Sequence, residues 1–306
     1  MPLQGKYASY LIIILLYAFP GFCEEVNPAK FIFSIEREAS EALEKPKEIF
    51  IDVEHREIYV IDNKGKVRLQ VFNLEGSFLY DLDIGTKFSL ISGIGVSKSG
   101  RIYISVPAAK EVTILDFRGK FINKLDFSDI PETKELLPGK LTLDADGNLY
   151  CIDHKNQQVL VFDERDGFKF KFGSKGNDDG KFQNISDITV SHSNIFVLDA
   201  YLGRISVFDK EGKFLLKFGQ KGSGVGKMSQ PSGIAVDKDG NIFIADSFRH
   251  NVLVFNKDCN LWFEFGGLGT GTGWFINPSE IDIDETGRIY VVDWGNGRIQ
   301  VFEIGK

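Results

Sequence analysis

Cysteine is scarce in this chain, three among 306 residues, and histidine is hardly commoner at four. So few cysteines exclude a disulfide-stapled scaffold. The histidines do not cluster, which argues against a zinc centre of several imidazoles. Basic residues do not outnumber acidic ones. The formal charge is −7, and a chain without a basic footprint is not expected to bind nucleic acid. No long apolar run occurs: the segment from Tyr10 to Phe19 is broken by Pro20-Gly21, short of the roughly 20 residues a spanning helix needs. There is no low-complexity linker, and no Ser-His-Asp or Cys-His pairing can be argued from the spacing. The glycine-rich stretch Gly222–Lys227 imitates a phosphate loop. A phosphate loop needs glycine where Lys221 stands, and Ser or Thr where Met228 stands.

What the chain has in plenty is phenylalanine, 27 residues, and glycine, 32 residues, and both follow a repeat. In residues 278–302, Ile281-Asp282-Ile283 alternates, Asp284–Gly287 turns, and Ile289–Val292 is a β-branched and aromatic run closing on Asp293. A loop with Trp294 follows, then a third strand, Arg298–Phe302. The same pattern occupies 231–255. Tracked by the residue that closes the second strand, it recurs at Asp62, Val106, Asp153, Asp199, Asp246 and Asp293, in steps of 44, 47, 46, 47 and 47. First strands are expected to begin near Ile49, Ile94, Leu141, Ile188, Ile234 and Ile281. A fourth alternating strand follows each of the first five copies, as in Phe214/Leu216/Phe218. Four antiparallel strands per 40–50 residues mark a propeller blade. The sixth copy lacks its fourth strand, but Lys30–Ile35 matches Lys213–Phe218 position by position. The predicted fold is therefore all-β: a six-bladed propeller whose ring is closed by residues 30–36 completing the last blade, which removes open edges.

The P-S-G-I-A-V-D opening at 231–237, the I-A-D and V-V-D strand ends, the R-I-x-V-F third strands and the F-G-x-x-G-x-G-x-G linkers resemble the NHL-repeat family of β-propellers. The resemblance spans about residues 30–306 and is strongest in the last three blades. It implies a six-bladed ring and little about chemistry, since such rings serve as binding modules and as enzymes.

Residues 1–23 carry one charge, Lys6, and read as a signal peptide cut before Glu24, with Gly21 and Cys23 as the small residues. A lipid anchor at Cys23 is the second reading, disfavoured by the bulk of Phe22. The expectation is an exported chain, periplasmic or extracellular, with residues 24–306 forming one domain, no membrane span after cleavage, and a monomeric state. Cys151 and Cys259 fall two blades apart, so no disulfide is expected. Cys259 occupies a turn position where other copies have glycine, which would strain it slightly. Residues 37–45 could form a helical turn or two, and 126–137 should be the longest link.

Loops on a rigid ring vary without unfolding it. The face receiving the linkers and the loops after second strands, here called the top, is therefore the expected site. The repeated aspartates read as structural acceptors of backbone N–H groups. Arg204 and Arg298 are expected to pair with them. Just before the first-strand isoleucine or leucine stand Glu48, Gly93, Lys140, Asp187, Gly233 and Glu280, near the channel mouth. Glu48, Asp187 and Glu280 could hold Ca²⁺, an arrangement similar to the acidic channel site of lactonase-type propellers. That gives the alternative reading, a metal-dependent hydrolase, although Lys140 would sit among the ligands. The favoured reading has no cofactor. It is a non-catalytic scaffold that binds a protein, peptide or glycan through His154, Tyr201, Lys221, Phe248, Arg249, Trp274 and Trp294 on the top face, aromatics and arginine being enriched at binding hot spots.

Overall fold

The structure, a computed structural model, describes residues 28–36, 43–64, 66–84, 88, 90–131, 133, 135–191 and 194–305. The proposed signal segment, Cys23, most of the 37–45 link and His192 lie outside the described residues. Six four-stranded antiparallel sheets form the ring. Five are continuous in sequence. The sixth contains Pro278–Ile283, Ile289–Asp293 and Arg298–Ile304, with Ala29–Ile35 as its outer strand. The closing strand thus starts and ends one residue before the expected span.

That strand fits because it carries the same irregularity as its counterparts. In blade 4, Phe214 faces Phe208 and Leu216 faces Val207, with a bulge between. In blade 6, Phe31 faces Phe302 and Phe33 faces Val301, with the same bulge. A shared bulge fixes register, because a one-residue slip would turn every apolar side chain outward.

The inner strands are Pro46–Asp52, Gly93–Val96, Pro138–Leu143, Ile185–Ser191, Pro231–Val236 and Pro278–Ile283. All but one begin three residues before the expected isoleucine or leucine; the second begins one before. Four start on proline, which needs no ladder donor at a first position. A register shift follows each of these starts, as between Pro231 and Gly233.

The core is divided among the six blade interfaces, one apolar cluster to each. Phenylalanine fills them because a flat ring spans the wedge between two twisted sheets. Phe265 and Phe302 meet at 5.1 Å between blades 5 and 6, and Phe172 and Phe208 at 4.7 Å between blades 3 and 4. The closing interface is as well filled as the others: Ile35 packs with Leu43, Ile49, Tyr290 and Val292. No helix among the described residues is long and apolar enough to cross a membrane.

Turns between third and fourth strands follow one rule. Asp209 Oδ1 accepts the N–H groups of Glu211 (3.2 Å) and Lys213 (2.8 Å), and Gly212 takes φ +80°. In blade 5 Asn256 does the same for Asp258 and Asn260, and Cys259 takes φ 62° in the glycine's place. The strain read from the sequence is therefore present. Cys151 and Cys259 are both free thiols.

Candidate functional site

The strand-closing aspartates organise the top face. All five are fully buried. Asp246 accepts four backbone N–H groups, those of Ser229 (2.6 Å) and Gln230 (3.0 Å) in the linker and of Phe248 (3.2 Å) and Arg249 (3.1 Å) in the loop. Asp199 does the same for Gln183, Asn184, Tyr201 and Leu202. Each carboxylate thus ties the entering linker to the loop beside it. In blade 2, where Val106 replaces the aspartate, the turn Pro107–Ala109 closes on its own backbone, Lys110 N–H donating to the Pro107 carbonyl at 3.0 Å.

The arginines behave unequally. Arg298 pairs with Asp293 at 2.8 Å, as expected. Arg204 does not bond Asp199. Its guanidinium donates to the carbonyls of Asn177, Asp178 and Lys181, the preceding linker having folded under it. Arg249, expected on the rim, is engaged within its blade by Glu264 (2.6 Å) and the Lys227 carbonyl (2.7 Å).

On the axis lies a ring of six residues, one from each inner strand: Glu48, Gly93, Lys140, Asp187, Gly233 and Glu280. Lys140 reaches across the ring and contacts both Glu48 and Glu280. The three side chains are 13%, 4% and 6% exposed. Asp187 spends its oxygens on backbone, Oδ1 on Ile188 N–H (2.8 Å) and Oδ2 on Ile234 N–H of the next blade (2.7 Å). The two glycines are packing requirements. A Cβ on Gly93 would lie 2.5 Å from the Gly139 carbonyl oxygen, and one on Gly233 would lie 2.8 Å from Glu280 Oε1.

This donor set does not suit Ca²⁺, which wants six to eight free oxygens. An ammonium sits between two of the three carboxylates, and the third is bonded to two amides. No group of three candidate ligands converges among the described residues.

The ring separates two cavities. Beneath it a channel of about 500 Å³ runs along the axis past Ile51, Leu141, Ile188 and Asp282. There Asp282 accepts Ile283 N–H (2.8 Å) and Ile51 N–H of the next blade (2.9 Å). Burial pushes the carboxyls of Asp282 and Asp187 up to about 7 and about 6, against the pull of those N–H groups.

Above the ring opens a funnel of about 750 Å³. Its lower wall is a belt of serines that bridge blades: Ser92 donates to the Pro138 carbonyl (2.9 Å), Ser232 to that of Pro278 (2.9 Å) and Ser279 to that of Lys47 (3.3 Å). His154, Phe248 and Trp294 line it. The His154 ring lies on Gly139, where a Cβ would come within 2.3 Å of Nε2. Burial holds this imidazole below the ordinary histidine range, and the Lys140 and Lys47 ammoniums add to the effect against the opposing pull of Asp153.

The other expected residues sit outside the funnel lining. Tyr201 is 67% exposed on the rim. Trp274 lies against Gly267 and Gly269 of its own linker. The Lys221 ammonium donates to the Ala200 carbonyl at 2.7 Å. Lys45 stands 5.6 Å over the Trp294 ring.

The funnel residues missed in the sequence include its serines and, most tellingly, Asn184, Gln230 and Asn277. These three occupy one register, four residues before the first-strand isoleucine, in blades 4, 5 and 6. The same register holds Lys45, Leu90 and Leu137 in blades 1 to 3. Comparing that single position across copies would have found them.

Comparison with known proteins supports the architecture. A family model described as a 6-bladed beta-propeller matches residues 177–243 and 238–306. No curated protein matches the chain. Among solved structures, a structural genomics protein of unknown function from Bacteroides thetaiotaomicron aligns at 15% identity and TM-score 0.65, over 90% of this chain and 75% of that one. Virginiamycin B lyase from Staphylococcus aureus, solved as a catalytically inactive histidine-to-alanine variant with quinupristin, aligns at 12% identity and TM-score 0.64, over 90% and 99%. A streptogramin B lyase aligns at 11% and 0.62, over 90% and 98%. Likeness at these identities establishes a shared fold.

Proposed function

We propose that this chain is an exported propeller of the NHL kind that acts by binding, without catalysis and without a metal, and that its top-face funnel holds a protein segment, peptide or glycan. The observation that carries this reading is the mix of groups around the funnel. Phe248 and Trp294 line it, Phe248 being 66% exposed, and polar side chains converge beside them, the composition of a small-ligand site. The hydrolase alternative loses its support because Lys140 occupies the position between Glu48 and Glu280 that a cation would need. The charge of −7 agrees with a partner other than nucleic acid. Export rests on the composition of residues 1–23, and a monomeric state is part of the same reading.

The test is a panel of oligosaccharides and tripeptides titrated onto the protein, with lactone hydrolysis measured alongside. Saturable binding by one class without turnover is expected. Phe248→Ala should weaken it about tenfold or more and leave the melting temperature unchanged, since the ring is mostly exposed. Calcium-dependent lactone turnover, or binding indifferent to Phe248→Ala, would overturn the reading.

A further inference from the structure

We propose that the funnel takes the terminal units of an uncharged oligosaccharide; this rests on the binding role above and narrows it to one ligand class. The argument begins with which polar groups are already used. The funnel floor is closed by Lys140 bridging Glu48 and Glu280. At the floor the inner-strand backbone is also satisfied: Ile234 N–H by Asp187, Ile281 N–H by Glu280 (3.1 Å), and the carbonyls of Pro138 and Pro278 by serine hydroxyls. A peptide that binds by adding a strand needs a free backbone edge, and here that edge is occupied.

What remains free is the amide arc. The side chains of Asn184, Gln230 and Asn277 line the funnel in three consecutive blades. None of their side-chain carboxamides forms a hydrogen bond among the described residues. Each presents two donors and an acceptor side by side, the pattern that pairs with adjacent hydroxyls of a sugar ring. Phe248 and Trp294, from the same side of the ring, offer apolar faces for the C–H side of a pyranose. The serines have donated their protons to carbonyls, so their lone pairs are left to accept from a ligand.

Charge selects an uncharged sugar. The two ammoniums beside the funnel, Lys47 and Lys140, are matched in number by the carboxylates of Glu48 and Glu280, and Lys140 is paired with both. The floor therefore offers no net positive charge to reward a uronate or a peptide carboxylate. Shape selects a chain end: Lys140 spans the floor between Glu48 and Glu280, so a glycan enters end-on.

The experiment titrates maltotriose, cellotriose, mannotriose and galactotriose onto the full chain by calorimetry, with trigalacturonate and trialanine as comparators. At least one neutral trisaccharide should bind at a single site. Asn184→Ala and Gln230→Ala, both at exposed positions, should each weaken it about tenfold with unchanged melting. Tyr201→Ala, outside the funnel, should bind as the wild type does. If none of the four binds, or if both amide variants bind as tightly as wild type, the inference fails. Binding of trigalacturonate or trialanine in place of the neutral sugars would refute the ligand class and leave the binding role standing. Lactone turnover would strike the binding role itself.

Discussion

Replacing Lys140 by methionine removes the one cation in the axial ring and leaves Glu48 and Glu280 facing each other with side chains 4% and 6% exposed. The lysine side chain is itself only 13% exposed, so solvent screens the cluster little. Breaking a buried ion pair by deleting one partner costs about 3–5 kcal/mol, because the remaining charge stays desolvated. For a domain of this size that is a drop on the order of 5–9 °C in melting temperature. The triple variant Lys140→Met, Glu48→Gln, Glu280→Gln removes all three charges and should recover most of the loss, since a neutral well-packed set costs little. Lowering the pH discharges carboxylates and should shrink the deficit of the single variant. Calcium should raise the melting temperature of Lys140→Met, whose carboxylates are now open, and leave the wild type unmoved. Scanning calorimetry reads all four. A single variant that melts within about 2 °C of wild type, or a triple variant no better than the single, would refute the assignment of Lys140 as the cation that holds this ring.

Asp282, with its carboxyl pushed up to about 7, makes a prediction of opposite sign to the usual aspartate. Between its ordinary value near 3.9 and about 7 the native state holds a proton that the unfolded chain has lost, so stability falls as pH rises through that window and then levels. Asp187, at about 6, acts in the same direction, and Asp282→Asn should therefore lose less melting temperature from pH 5 to pH 8 than wild type; an equal loss counts against the assignment. Asp246→Ala leaves four backbone N–H groups without their acceptor and should cost about 3 kcal/mol or more at roughly 1.5–3 kcal/mol per charge-assisted bond, not all of it recovered by water; denaturant unfolding checks it, and a cost under 1 kcal/mol would deny the aspartate its tying role. Ile35→Ala, in the closing strand at 1% exposure, should cost about 2–5 kcal/mol; a neutral result would mean that the ring does not depend on its N-terminal strand.

The ring itself was legible because its signals repeat. Phe31 and Phe33 could be laid on Phe214 and Leu216, and the structure gives both strands the same bulge. The aspartate at or near the end of five of the six second strands was legible for the same reason. Strand starts were less so: four inner strands open on a proline three residues before the expected isoleucine or leucine, because proline can begin a strand whose first N–H has no partner. Long side chains were the least legible. Arg204 and Arg298 share a register and both reach linker carbonyls, yet only Arg298 also meets its aspartate. Which acceptor a guanidinium meets depends on how the preceding linker folds, and register carries no information about that. Lys140 illustrates the same limit. Its place in the ring could be read, but its reach across to both glutamates depends on the channel radius, which follows from blade number and packing.

A sixfold repeat divides its residues into two kinds. Positions that most copies keep alike serve what every blade needs: an acceptor under the loop, an Asx turn, a phenylalanine in the wedge. Such a position cannot distinguish one side of the ring from another, so it cannot by itself shape a site for an asymmetric ligand. The position four residues before each first-strand isoleucine or leucine is different. It reads Lys45, Leu90, Leu137, Asn184, Gln230, Asn277 around the ring, and Leu90 and Leu137 are 41% and 39% exposed. Nothing in blade packing asks for apolar residues on one arc and amides on the other, because these side chains stand at the mouth and not in the wedge. The axial ring is broken in the same way, with glycine, lysine and carboxylates in one register. Glycine there is explained by close approach of the next blade; the amides above have no such steric reason. A departure from the repeat that packing does not require, placed where a ligand can reach it, is the physical ground for locating function on the side of blades 4 to 6.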